Sequence, residues 1–226
     1  VGSEMCIRDR YDIFISCINW CSGVLMVLIC DGKYMKKSHL LQAVALDRAV
    51  YPQSYWLDDE TALGYLYARP EVYTYAVDGD ELVAYLNMSC IDERSYLTLL
   101  EGYQNDLCID AGNLTEPMPN CNNYLYFSSI AVAPAYRGIG IARKLFARFG
   151  EKLSLLRKRG VYFTDVIADA VSPHGEKACL TLGMKFDKVT QCGGKLFRYP
   201  METGEPNPAL DSFIKNLLGD EYGKLV

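Results

Sequence analysis

A strand that passes through a proline into a glycine-rich turn, and then directly into a helix, most constrains this 226-residue chain. Residues 130–133 are apolar and precede Pro134. Arg137, Gly138 and Gly140 then come just before an amphipathic stretch. The backbone N–H groups at a helix start have no partner within the helix and carry partial positive charge. Because glycine exposes this main chain and Arg137 adds a fixed cation, we predict a site for a phosphate or pyrophosphate at the turn.

The residues of the turn exclude two common phosphate-binding loops. A Walker-type loop requires Gly-Lys-Ser/Thr, whereas Ile141 and Ala142 follow Gly140 here. The dinucleotide fingerprint requires a third small residue at the start of the helix, where this chain has Arg143. The pattern that remains begins at Arg137 and fits the form Arg/Gln-x-x-Gly-x-Gly/Ala.

Hydrophobic periodicity and turn signals predict strands and helices over the rest of the chain. The pair Asp78-Gly79 predicts a hairpin, Asp58 is a suitable helix N-cap, and Gly160 ends the helix that follows the turn. The predicted strands are 26–30, 72–77, 81–91, 124–132, 161–168, 184–191 and 196–199, and the predicted helices are 36–50, 58–67, 96–103, 140–158, 173–182 and 209–218.

This order of elements, together with the turn pattern, resembles the GNAT N-acetyltransferase superfamily. The resemblance covers residues 26–200, and its specific motifs lie within 124–184. It implies an α/β (α+β) fold with a mixed, mostly antiparallel sheet and helices on both faces. It also implies that the fourth and fifth predicted strands splay apart and that coenzyme A lies in the gap.

The same resemblance implies acetyl-CoA as the co-substrate and no metal ion. The turn would bind the pyrophosphate. The main chain at the end of the fourth strand would pair with the pantetheine and stabilise negative charge on the thioester oxygen. The residues assigned to the coenzyme are Ile130, Ala131, Val132, Arg137, Gly138, Ile139, Gly140, Ile141, Ala142 and Ser172.

The chain departs from the family where many members have Asn-x-x-Ala-x-x-Leu-Tyr-x-x-x-Gly-Phe, with the tyrosine protonating the leaving thiolate. Gly183 matches, but Ser172 replaces the asparagine, Cys179 the tyrosine and Met184 the phenylalanine. Cys179 either relays a proton or contacts the coenzyme thiol, or else it is a small packed side chain, which we favour. His174 at the helix start is a candidate base or coenzyme contact.

No general base is identifiable from the sequence. Asp165 and Asp169 lie on or after the fifth predicted strand, and Glu93 and Glu101 lie in the long connection before the fourth. Each is interpreted as a solvated charge, and a chain of water molecules can also accept the proton.

Aromatic residues cluster where the family binds its acceptors. Tyr51, Tyr55 and Trp56 follow the first predicted helix, and Tyr96 and Tyr103 lie in the long connection. Such residues wall an apolar or cationic pocket, or they cover the core. We assign Tyr51, Tyr55 and Trp56 to acceptor binding.

Composition and charge restrict the partners of the chain. A net charge of −5 argues against general nucleic-acid binding and is compatible with a cationic acceptor. Nine scattered cysteines without a Cys-x-x-Cys pair are typical of reduced cytoplasmic thiols, and two histidines make a zinc site unexpected. We expect a cytoplasmic protein with an amine acceptor and with no nucleic-acid, membrane or metal partner. A homodimer is compatible with the sequence.

The N-terminal segment differs in kind from the rest. Residues 4–10 resemble the translation of a transposon-end adapter used in sequencing libraries, and residues 11–30 are mostly apolar. One interpretation is a membrane span after a basic start. We adopt the other, in which residues 1–25 are a non-native leader and the native chain starts at Met26. An N-acetyltransferase domain then occupies 26–203, and a helical extension occupies 204–226.

Two functions follow from the resemblance. The first is an acetyl-CoA-dependent N-acyltransferase, in which an amine attacks the thioester directly. The second is a non-catalytic domain that binds acyl-CoA and regulates a partner, motivated by the missing tyrosine at Cys179. The coenzyme turn is common to both, and the identity of the amine does not follow from fold resemblance.

Overall fold

The computed structural model describes residues 13–20, 23–201 and 206–221, with side chains described within 26–201 and 206–220. The strands over these residues are β1 Ile13–Trp20, β2 Gly23–Asp31, β3 Tyr73–Asp78, β4 Glu81–Ile91, β5 Tyr124–Val132, β6 Asp165–Ala170, β7 Lys185–Val189 and β8 Lys195–Pro200. They form one sheet in the order β1-β2-β3-β4-β5-β6-β8-β7. Neighbours are antiparallel except β5 and β6, which are parallel. The predicted mixed, mostly antiparallel sheet is confirmed.

Helices cover both faces of this sheet, as predicted. They are α1 Lys37–Val50, α2 Asp59–Ala68, α3 Glu93–Glu101, α4 Ile141–Lys158, α5 Pro173–Thr181 and α6 Pro208–Leu218. One apolar core joins the sheet to α4, α5 and α6, and a second core joins the opposite face to α1, α2 and α3. The site described below lies where β5 separates these two cores.

Local signals account for most helix boundaries. The Asp58 side chain accepts a hydrogen bond from the Thr61 N–H at 2.9 Å, which confirms the predicted N-cap of α2. Asp92 caps α3 in the same way through Ser95, so α3 starts at Glu93 rather than at the predicted residue 96. In α4, Leu145, Phe149 and Leu153 lie along one face of the amphipathic stretch and are buried, and Leu156 on the same face is partly buried.

The strand predicted at 161–168 begins only at Asp165 and continues to Ala170. Val161 and Phe163 are buried core residues in the irregular segment before it. The side-chain amide of Asn123 donates to the carbonyl of Tyr162 at 2.7 Å. This side chain therefore supplies the hydrogen bond that a neighbouring strand would otherwise make to the backbone carbonyl. The apolar residues before Asp165 are thus buried without a strand partner, and for this reason the sequence pattern wrongly predicted a strand there.

The first predicted strand, at 26–30, is the longer β2, and β1 pairs with it across an antiparallel hairpin. β1 lies within the segment predicted to be a leader, while residues 1–12 lie outside the described residues. The C-terminal helix α6 packs on α4, where a Cβ at Gly150 would come within 3.0 Å of Leu217. Among the described residues, no helix combines the length and apolar character needed to cross a membrane.

We predict that a chain beginning at Met26 folds with the melting temperature of the full chain. β1 makes its main contacts with β2 alone, and β2 remains paired with β3 without it. Differential scanning calorimetry of both chains tests this expectation. A melting temperature clearly lower in the shorter chain would show that β1 is an integral part of the sheet.

Candidate active site

The parallel strands β5 and β6 are hydrogen-bonded over only part of their length. Their pairing runs from Tyr124, opposite Asp165, to Tyr126, opposite Ile167. Beyond this point β5 continues to Val132 along β4, while β6 remains paired with β8. The predicted splay is thus present, and we call the opening between the two strand ends the gap. Residues of β5, β6 and α5 line it.

The glycine-rich turn lies at the end of β5, beside the gap. Gly138 and Gly140 adopt φ values of 80° and 87°, which favour glycine, and Gly140 is the N-cap of α4. A Cβ built on either glycine would meet no atom within 4 Å. The first helical backbone bond here is made by Lys144, whose N–H donates to the Gly140 carbonyl. The turn therefore offers open space over main-chain N–H groups, which fits the pyrophosphate of a nucleotide coenzyme.

Arg137 is exposed at the edge of this turn. Its Nε donates to the carbonyl of Val132 at 3.0 Å, which holds the guanidinium against the end of β5. Ala131 is buried in the sheet, where it is paired with Tyr85 of β4. The residues assigned to the coenzyme from 130 to 142 thus lie together along one strand end and one helix start.

The backbone of Ile130 faces the gap and is engaged by Tyr51. The Tyr51 hydroxyl donates to the Ile130 carbonyl at 2.9 Å, and the Ile130 N–H donates to the same hydroxyl at 3.3 Å. The resemblance assigned Ile130 to stabilising the thioester oxygen and Tyr51 to the acceptor. The structure places these two residues in direct contact.

A β-bulge in β5 brings two serines to the same side of the sheet. Asn87 is opposite Ser129, but Met88 is opposite Phe127, so Ser128 is the inserted residue. Regular alternation would direct consecutive side chains to opposite faces. Here the hydroxyls of Ser128 and Ser129 both turn to the α1 side, where each bonds a carboxylate.

Two of the residues predicted in the segment after β6 lie at the gap. Ser172 caps α5 through the Gly175 N–H at 3.1 Å and lines the gap with Cys179. Cys179 is only 1% exposed, and burial raises the pKa of its thiol to about 12. His174 is exposed and does not line the gap. The catalytic assignments of Cys179 and His174 remain predictions.

The predicted acceptor residues separate into two groups. Tyr51 and Tyr55 line a cavity next to the gap, and the Tyr55 hydroxyl donates to Asp169 at 3.1 Å. Trp56 is exposed outside this cavity, and its Nε1 donates to the Tyr51 carbonyl at 2.8 Å. Trp56 therefore stabilises the turn that positions Tyr51. Tyr103 is exposed elsewhere.

Of the carboxylates considered as bases, one belongs to this cavity. Asp169 lines it, and burial raises the pKa of its carboxyl group. Asp165 is not a solvated charge, because it is buried and accepts hydrogen bonds from Arg198 at 2.8 Å and Tyr96 at 2.9 Å. Glu93 and Glu101 are exposed and lie outside the cavity. Tyr96 stacks on Tyr124 and is part of the core.

Sequence reasoning missed two further carboxylates of this cavity, Asp47 and Asp106. Asp47 accepts from Ser129 at 3.1 Å, and Asp106 accepts from Ser128 at 3.1 Å. Burial raises the pKa of each to about 6. Asp47 could have been found, because it follows Leu40 by two helical turns on the buried face of α1. We call this the acidic cavity, and it meets the gap at Tyr51, Ser128, Ser129, Asp169 and Val171.

The gap and the acidic cavity form one connected site with two chemically different ends. One end presents main-chain N–H groups and Arg137 to an anion. The other end presents carboxylates and tyrosines. Ile130 lines the gap and contacts Tyr51 where the gap meets the acidic cavity, so a carbonyl carbon and a nucleophile can come together there.

Residues 40–167 of this chain match the family model described as "Acetyltransferase (GNAT) family". The chain belongs to the GNAT acetyltransferase family. The match contains β3, β4, β5, the glycine turn and α4. Members of this family use acyl-CoA, and the chain is an acetyltransferase of the GNAT type. No curated protein matches the chain as a relative.

Solved structures support the fold at low sequence identity. The chain is similar to the loading GNATL domain of CurA from Lyngbya majuscula, with 14% identity, a TM-score of 0.58, and coverage of 77% of this chain and 97% of that one. It is also similar to Arabidopsis thaliana NAA60 in complex with acetyl-CoA, with 15% identity, a TM-score of 0.50, and coverage of 83% and 99%. Arabidopsis thaliana Naa50 in complex with a bisubstrate analogue has 13% identity, a TM-score of 0.50, and coverage of 76% and 97%.

We predict that Gly140→Val weakens coenzyme A binding by about tenfold or more, because the valine fills the space where charged phosphate oxygens would approach the main-chain N–H donors. Arg137→Ala should weaken binding by only about twofold to fivefold, because the arginine is exposed and its ion pair is screened. Isothermal titration calorimetry with coenzyme A measures both variants.

Gly160→Val is the matched control for backbone strain. Gly160 follows the other end of α4, has a φ of 77°, and would place its Cβ in open space. The two valine variants should lose similar stability, but Gly160→Val should bind coenzyme A like the unmodified chain. Normal binding by Gly140→Val, or equal loss in both variants, would contradict the assignment of the turn.

We predict that Cys179→Ala lowers the free energy of unfolding by about 1 kcal/mol, and the melting temperature by about 2–4 °C, through lost packing. Turnover should be unchanged between pH 7 and pH 9. A variant that is slow near pH 7 and recovers by pH 9 would instead identify Cys179 as the group that protonates the thiolate, since a leaving thiol with a pKa near ~8.5 needs no proton at high pH.

Proposed function

We propose that this protein is an acetyl-CoA-dependent N-acetyltransferase that transfers the acetyl group to an amine by direct attack on the thioester. The observation that carries the proposal is the glycine turn, which opens at the end of β5 onto the gap between β5 and β6. This arrangement can hold a long coenzyme with its phosphates at the helix start and its thioester between the strands.

Different residues of the chain bind different parts of the coenzyme. The N–H groups of residues 138–142 and Arg137 bind the pyrophosphate, since both supply positive charge at one place. The main chain of residues 130–132 pairs with the pantetheine amides. Ser172, on the opposite wall of the gap, contacts the arm that passes between the strands.

The main chain of Ile130 stabilises the charge that develops during transfer. The thioester oxygen approaches the Ile130 N–H, which exchanges its bond to the Tyr51 oxygen for a bond to the forming oxyanion. The amine lone pair forms the new N–C bond, and the C–S bond breaks with its electron pair on sulfur. A tyrosine is absent at position 179, and a thiol with a pKa of about 8.5 leaves as thiolate without one.

Relatives in complex support the choice of coenzyme. NAA60 was solved with acetyl-CoA, and Naa50 with the bisubstrate analogue CoA-Ac-MVNAL. We infer acetyl-CoA as the co-substrate and an amine of a small molecule or peptide as the acceptor. Nucleic acid, membrane and metal are not required by the proposed reaction. A cytoplasmic location and a homodimer remain part of this proposal.

A thiol-release assay with acetyl-CoA tests the proposal against its alternative. We expect release of coenzyme A that depends on added amine, together with an acetylated amine detected by mass spectrometry, and both should be lost in Gly140→Val. Tight coenzyme binding without amine-dependent release, over small amines and peptide N-termini alike, would favour the non-catalytic acyl-CoA-binding domain instead.

A further inference from the structure

The acidic cavity holds negative charge without a counter-charge from the protein. Asp47, Asp106 and Asp169 line it, and no lysine, arginine or histidine lines it within the described residues. Elsewhere, buried carboxylates have basic partners, as Asp31 does with Arg148. Unpaired carboxylates in a partly buried site are unfavourable, so a cationic ligand is the natural partner of this cavity.

Buried oxygen atoms without hydrogen-bond partners point to the same ligand. Asn87 is 6% exposed and lines the cavity, and its Oδ1 has no partner. One carboxylate oxygen of Asp106, which also lines the cavity, is likewise buried without a partner. Leaving acceptors unsatisfied is costly, and these two acceptors would be satisfied by a ligand with N–H donors.

The three carboxylates also affect one another. The charge of Asp106 raises the pKa of Asp47, and the charge of Asp169 raises the pKa of Asp106, in addition to the larger effect of burial. A ligand that carries one positive charge can offset only part of this repulsion. A ligand with two or more separated charges fits the distribution better.

A bound metal ion does not explain the cluster. Within the described residues, no group of carboxylate, histidine and cysteine side chains is arranged to hold one. The cavity walls are instead tyrosine rings and apolar side chains, among them Tyr65, Tyr73, Tyr126 and Leu57. Aromatic faces attract ammonium groups, and apolar walls accept methylene chains.

We propose that the acidic cavity binds an aliphatic diamine or polyamine, with a distal ammonium at Asp106 and Asp169 and the reacting nitrogen beside Tyr51. Asp47 is the general base, acting through Ser129. This inference rests on the proposed function and names the acceptor class for the same site.

Hydrogen bonds connect the reacting position to Asp47. Ile130 N–H contacts the Tyr51 oxygen at 3.3 Å, Tyr51 and Ser129 hydroxyls are 3.3 Å apart, and Ser129 donates to Asp47 at 3.1 Å. The ammonium gives one proton to Tyr51, whose hydroxyl turns from the Ile130 carbonyl to pass its own proton to Ser129, while Ser129 passes its proton to Asp47. The neutral amine forms the N–C bond, the C–S bond breaks, and the thiolate takes the second nitrogen proton. The products are an amide, coenzyme A and protonated Asp47.

Two amines of equal length test the substrate class. Acetyl transfer is measured with 1-aminohexane, with 1,6-diaminohexane and with a peptide that carries a free N-terminus. We expect kcat/KM for the diamine to exceed that for the monoamine by about tenfold or more, the effect of an added charged hydrogen bond. The peptide should be the poorest acceptor.

Variants assign the preference to its residues. Asp106→Asn and Asp169→Asn should each reduce the ratio of diamine to monoamine kcat/KM, because each removes a negative charge that faces the distal ammonium. Asp80→Asn is the matched control, because the Asp80 side chain is 99% exposed in the β3–β4 turn. Equal rates for the two amines, a preference that survives both cavity substitutions, or a preference for the peptide would overturn the inference. Failure of every amine would instead contradict the proposed function.

The role of Asp47 has a pH signature. The titratable groups that face it are Tyr51, Tyr73, Tyr85 and Asp106. Because its pKa is raised to about 6, kcat should fall as the pH is lowered through about 6. Asp47→Asn should lower kcat by about a hundredfold for both amines and remove this dependence. A full kcat in Asp47→Asn, or an unchanged pH profile, would show that Asp47 is not the base.

Thermal stability tests whether these variants report on function rather than on folding. A carboxyl whose folded pKa is raised destabilises the fold once it ionises, so the native chain loses stability as pH rises through about 6. Asp106→Asn should therefore melt about 2–4 °C higher than the native chain at pH 8 while losing its preference for the diamine. A lower melting temperature at pH 8 would show that the carboxylate is compensated within the protein, which contradicts a site awaiting a cation.

Discussion

The incomplete pairing of β5 and β6 is the constraint on which the rest of the site depends. β5 keeps its hydrogen bonds to β4, and β6 keeps its bonds to β8, so each strand has one satisfied edge where the two separate. The facing edges are open to a ligand with amide groups of its own. If β5 and β6 did not separate, the N–H and carbonyl of Ile130 would be hydrogen-bonded within the sheet. The acidic cavity would then have no connection to the glycine turn.

The bulge at Ser128 adds chemistry to this opening. It directs two serine hydroxyls toward Asp47 and Asp106, and it leaves the main chain of Ile130 facing Tyr51. These buried carboxylates lower stability near neutral pH, and the two apolar cores on either side of the sheet must offset that effect. A cluster that opposes folding and serves no internal ion pair is what a binding site for an external cation requires.

Local signals in the sequence predicted the parts of the site that are formed by neighbouring residues. The strand Tyr124–Val132 and the turn to α4 were predicted at their observed positions, because proline, glycine and apolar periodicity act over a few residues. The acidic cavity could not be predicted in this way. Asp47, Asp106 and Asp169 come from three distant segments, and only the tertiary fold buries them together. A bulge likewise leaves no clear mark in a strand of alternating side chains.

The sheet also separates the binding sites of the two proposed substrates, which carry opposite charges. The coenzyme carries phosphates, whereas the chain has a net charge of −5 and concentrates three carboxylates in the acidic cavity, the proposed acceptor end. A phosphate site built on lysine side chains beside that cavity would attract the carboxylates themselves. Helix N–H groups avoid this attraction, because fixed backbone dipoles cannot move across β5 to reach the carboxylates. One exposed arginine accompanies them. The carboxylates lie on the face covered by α1, and the glycine turn leads into α4 on the opposite face, so β5 lies between them. Anion and cation can therefore bind together without neutralising each other's site.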